Sequence, residues 1–267
     1  MIYMKFFSLF AAIAVTESTS IWNRGFGADV FVARGPTFGA EFDPMSSRTT
    51  VWAGTAGGRF SLSGGISWQE PNVDTTTTGP AIVGLSPQSA FIATHKIVTF
   101  MPSKGKMVVG PFDASPACNG NRMSFVSQAA NATQWLLPLI FNASDVTNEA
   151  VSFEISFRGN TFSVPNRVAR PFALRLQRQL LRYQERNQTY TLAQARADMP
   201  TVHLKMGDFD LPLTPKEYVM QDLIASEIFT TFYDSHTRNP VLPNSLMKRV
   251  IVQFDALNHR VGICAPK

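Results

Sequence analysis

The end of the chain constrains it most. Val250-Ile-Val-Gln-Phe254-Asp255 is an alternating apolar run. A tight turn holding Asn258 follows, then a second short apolar run, Arg260-Val-Gly262-Ile-Cys264, before Ala265-Pro266. Two such runs joined by a tight turn predict a β-hairpin. Strand-forming residues continue through most of the 267 positions and are punctuated by 17 Gly and 17 Pro, so a mainly β architecture is expected. With 45% hydrophobic and 16% charged residues the chain is an ordinary globular one, long enough for one large core or two moderate lobes.

The net charge of +5 does not describe a basic protein. Between Asn166 and Arg186 stand six Arg and one Glu, a local sum of +5, and the remainder balances to zero. Phe172, Leu176, Leu180 and Tyr183 recur there at helical spacing, while Arg175, Arg178, Arg182 and Arg186 fall on other faces. A basic surface helix over 168–186 is expected, with no nucleic acid as partner.

At the other end, Phe6 to Val15 is an apolar run after Lys5. It is shorter than the about 20 residues that cross a bilayer, so no membrane span is expected, and it suits the middle of a secretory leader. Residues 1–20 are thus either a leader or a replacement strand. Asn131, Asn142 and Asn187 each open an acceptor sequon for glycosylation in a secretory chain. Cys118 and Cys264 are the only cysteines and could pair. His95, His203, His236 and His259 lack metal-ligand spacing, and neither a metal nor another cofactor is expected.

The closing hairpin resembles that of the pepsin-like aspartic proteases, in which a strand ending Phe-Asp leads through an Asn-containing turn to Arg-Val-Gly and Ala-Pro. Other stretches resemble the family in the right order: Phe42-Asp43-Pro44-Met-Ser46-Ser47, Ala81-Ile-Val-Gly84-Leu85, Gly105 to Gly110, Met199 to Gln221, and Leu242-Pro243-Asn244. The resemblance implies a mainly β, two-lobed pepsin-like fold with a central cleft. Its N-terminal lobe would span 21–110, lacking a strand if the leader is removed, and its C-terminal lobe 111–267.

The same resemblance implies two catalytic Asp-Thr/Ser-Gly motifs, and neither is intact. Read in register, Asn23, Arg24 and Gly25 take the first motif's places, and Phe157, Arg158 and Gly159 the second's. In a rival register the second motif is lost entirely. Gly57 stands where the family's flap carries Tyr. Aspartic proteolysis needs two carboxylates close enough to share one proton, and an amide or a phenyl ring cannot serve. Asp29, Asp43 and Glu154 are the neighbouring acids that a replacement pair would draw on. The expected function is that of a secreted, catalytically inactive homologue holding a peptide or protein segment in the cleft. An active aspartic endopeptidase and a truncated family member without stable function are the alternatives.

Overall fold

The computed structural model describes residues 2–5, 27–32, 37–52, 59–62, 66–70, 73–76, 81–104, 106–157, 162–222, 227–234 and 239–267. The chain divides into two compact units. One comprises Met1–Leu136, Glu154–Asn160 and Pro243–Lys267; the other comprises Leu137–Phe153 and Thr161–Leu242. The boundary expected at 110–111 lies inside the first unit. The chain leaves and re-enters that unit because Phe157, beside Phe100 and Phe254, and the closing hairpin both pack within it.

The first unit holds two sheets. A seven-stranded sheet runs in the order Ser67–Gln69, Arg59–Leu62, Gly27–Val32, Thr37–Asp43, Ala81–Gly84, Thr49–Trp52, Val73–Thr76. A six-stranded sheet runs Ile2–Lys5, Lys106–Val109, Ile97–Met101, Ile251–Asp255, Arg260–Cys264, Ser124–Ser127. Ile2–Lys5 pairs antiparallel with Lys106–Val109 at the edge, so the first residues supply a strand.

The expected hairpin forms, and its wording has physical causes. The carboxylate of Asp255, 1% exposed, accepts from the Asn258 amide and side chain and from Arg260 Nε at 2.7 Å. That carboxylate closes the turn. The Arg260 guanidinium also lies 4.0 Å over the Phe125 ring, and a Cβ on Gly262 would meet that ring at 2.5 Å. All five residues of Ile251–Asp255 are buried, so both faces of this strand are covered. Gln253 is accommodated there by donating to Thr99 Oγ1 at 2.9 Å. Cys118 and Cys264 form a disulfide that ties this hairpin to a segment 146 residues earlier.

The second unit is built on a seven-stranded sheet in the order Phe209–Leu213, Val202–Met206, Leu136–Ala143, Thr147–Ile155, Val241–Leu242, Phe162–Val164, Phe232–Asp234. The helix Asn166–Glu185 buries Val168, Ala169, Phe172 and Leu176. Phe172 sits 5.9 Å from Phe141 and 5.0 Å from Phe232, ring to ring. Leu180, expected on the buried face, is 41% exposed. Each step of four residues turns a helix about 40° past a full circle, so two steps carry Leu180 away from Phe172. Arg167 pairs with Glu149 at 3.2 Å, and Arg175 with Asp145 at 2.7 Å and the Asp198 carbonyl at 3.0 Å.

The two seven-stranded sheets have the same plan. Position by position, the order beginning Ser67–Gln69 matches the order beginning Phe209–Leu213, and strand direction agrees at both ends of it. Thr49–Trp52 and Phe162–Val164 each pair in parallel with the edge strand and antiparallel with the inner one. Arg59–Leu62 and Val202–Met206 are each antiparallel to both neighbours. One topology is used twice, although no period of about 20 to 50 residues repeats by eye in the sequence.

Candidate functional site

In this duplicated plan the strand Thr37–Asp43 is the counterpart of Thr147–Ile155. The first pairs in parallel with Ala81–Gly84, Asp43 standing opposite Gly84. Beyond Asp43 the chain folds back over its partner. The Met45 amide donates to Asp43 Oδ1 at 3.0 Å, an Asx turn that holds the half-buried carboxylate in place. The Leu85 amide donates to the Asp43 carbonyl at 2.9 Å, and the Ser86 amide to the Ser46 carbonyl at 2.9 Å. A Cβ on Gly84 would lie 2.7 to 2.9 Å from backbone atoms of Ser46 and Arg48. Only glycine leaves room for that crossing.

The second sheet shows what stands in place of Asp43. The bridges Thr50↔Ile82 and Ser163↔Val241 occupy the same place in the two plans. Asp43 lies seven residues before Thr50, and seven before Ser163 is Ser156, with Phe157 next. Neither is an acid. Phe157 is fully buried, its ring 5.1 Å from Phe100 and 6.2 Å from Phe254. Counting on from the same bridges, Pro243 stands where the first sheet has Gly84, and it carries a ring where Gly84 leaves space. Glu154, 4% exposed, lies two residues before Ser156, about 7 Å along an extended strand.

Asn23, Arg24, Gly25, Gly57, Arg158 and Gly159 lie outside the described residues. Asp43 is the residue that sequence reasoning set aside. The resemblance gives the first acid's place to Asn23 and names Asp43 only among the neighbouring acids, whereas strand order makes Asp43 itself the counterpart of the Ser156-Phe157 pair. The available signal was the wording Phe-Asp followed by Ser-Ser, with Ala81–Gly84 as the strand to pair with. Among the described residues no three His, Cys, Asp or Glu side chains gather as a metal site would require.

Beside this turn, Thr49 donates to the buried Glu70 carboxylate at 2.6 Å. Burial pushes the Glu70 pKa up, against the lowering effect of that hydrogen bond. Of the sequon residues, Asn131 and Asn187 are exposed, while Asn142 is half-buried within a strand.

No protein-family model matches the chain, and no curated protein matches its sequence. Among solved structures it is similar to the aspartic proteinase from Irpex lacteus, with a TM-score of 0.60 and 11% identity over 90% of this chain and 94% of that one. The chain has a mainly β, pepsin-like fold. At that identity the likeness is one of fold.

Proposed function

We propose that this protein is a catalytically inactive relative of the aspartic proteinases that holds an extended peptide or protein segment, in the cleft that the pepsin-like resemblance implies. The observation that carries this reading is the inequality of the two half-sites. One strand ends in Asp43, and its counterpart runs into Ser156 and a Phe157 ring packed among Phe100 and Phe254. A single carboxylate can bind a peptide amide or a cation, but it cannot divide the roles of base and acid. Binding needs no such division, because strand-edge amides and carbonyls hold an extended chain by backbone hydrogen bonds.

Passage through an oxidising compartment is part of the proposal. It is supported by the Cys118–Cys264 disulfide, the leader-like run Phe6 to Val15, and the exposed sequons at Asn131 and Asn187. The deciding experiment incubates the purified chain with a denatured protein substrate across the acid range, with and without a pepstatin-type inhibitor, and screens an array of linear peptides for binding. The expected result is peptide binding without cleavage. Pepstatin-sensitive turnover would make the protein an active endopeptidase, and a chain that neither cleaves nor binds would refute the binding role.

A further inference from the structure

The helix Asn166–Glu185 has an outward face that the proposed peptide binding does not use. At 100° per residue, Leu174 and Leu181 fall about opposite the buried Phe172 and Leu176. They are 37% and 50% exposed, where a surface helix ordinarily carries polar residues. Arg170 and Arg178 flank them on either side, with Arg182 and Arg186 further along. These four guanidiniums make no ion pair among the described residues, unlike Arg167 and Arg175, which Glu149 and Asp145 neutralise. Arg186 stands at the C-cap and by the same spacing falls on the side of Val168, so Arg170, Arg178, Arg182 and Glu185, the helix's one acid, leave this surface at +2. Phe229 and Tyr233, 37% and 51% exposed, lie on strands that contact the same helix.

We infer that this face docks on an anionic phospholipid surface, lying along it. Leucines at the centre with arginines at the margins suit an interface between acyl chains and phosphates: the leucines enter the apolar layer while the flexible arginine stems carry their charge to the headgroups. The helix is not apolar enough to cross a membrane. A protein partner is the weaker match, because tight protein contacts centre on side chains seated in pockets, and a lone convex helix face presents none. A lipid surface needs only exposed apolar side chains and charge of the opposite sign.

The test is co-sedimentation of the purified full chain with vesicles of phosphatidylcholine alone or of phosphatidylcholine with phosphatidylserine. Binding is expected only with phosphatidylserine present. Leu174→Ser with Leu181→Ser, which keeps every charge, should weaken it about tenfold, and Arg170→Gln with Arg178→Gln and Arg182→Gln should remove it. All five side chains are solvent-facing, and an unchanged circular dichroism spectrum confirms that each variant is folded. Equal binding to both vesicle types, no binding to either, or unaltered binding by the leucine variant would overturn the inference. Binding to immobilised polyglutamate that the leucine variant leaves unaltered, with no binding of the unmodified chain to phosphatidylserine vesicles, would overturn it too, and would point to an acidic polypeptide as the occupant.

Discussion

Asp43 faces Gly84 across a parallel strand pair, and the absent side chain of Gly84 lets the segment after Asp43 fold back over its partner strand. The carboxylate's position therefore depends on a missing Cβ. Met45 fixes the side chain, Leu85 fixes the carbonyl, and the Ser46 and Arg48 backbone fills the space.

Gly84→Ala should destabilise the protein by about 2 to 4 kcal/mol, because the new methyl meets backbone rather than a side chain that can swing aside. The midpoint of urea unfolding measures it. A change below about 0.5 kcal/mol, the range of an ordinary surface substitution, would mean that the crossing segment adjusts freely.

Phe157→Asp is expected to leave the chain inactive and to cost at least about 3 kcal/mol. It removes a ring in contact with Phe100 and Phe254 and puts an ionisable group in its place. Acid-range peptide hydrolysis and thermal unfolding are read together. A folded variant with protease activity would show that the second half-site lacks only its acid.

Reduction of Cys118–Cys264, or Cys118→Ser with Cys264→Ser, should lower stability by about 3 to 5 kcal/mol. The bridge closes a 146-residue interval in the unfolded chain, where a cross-link removes the most freedom. Equal melting temperatures with and without reductant would contradict this.

The buried Glu70 and the half-buried His95 should act on stability with opposite pH dependence. Burial raises the pKa of Glu70, so its contribution is fully present below 4.5 and is lost as pH rises through the folded value. Burial lowers the pKa of His95, so its contribution is present above 6.5 and is lost as pH falls through the folded value. Glu70→Gln should therefore raise the unfolding midpoint at neutral pH and leave it nearly unchanged below pH 4.5, while the amide still accepts from Thr49. His95→Gln should reduce the loss on acidification. Stability curves of the two variants across pH test both signs, and parallel curves would refute the assignment.

Local order was legible in the sequence. Alternation and turn wording placed the closing hairpin, because Asp255, Asn258 and Arg260 act within a few residues of one another. Helical spacing located the basic helix, and its register failed only at Leu180, where the four-residue steps drift off the buried face. The wording of scattered stretches carried the pepsin-like fold, since each stretch meets its own local constraint. Tertiary structure alone decided which residues are counterparts in the two sheets. Thr37–Asp43 pairs with Ala81–Gly84 across some forty residues of chain, and the matching strand order of the other sheet makes Ser156 and Phe157 the counterparts of Asp43. Hydrogen bonds between strands carry no mark in the intervening sequence, so the wording Phe-Asp before Ser-Ser could mark the turn after Asp43, but its counterpart in the other sheet could be read only once the sheets had closed.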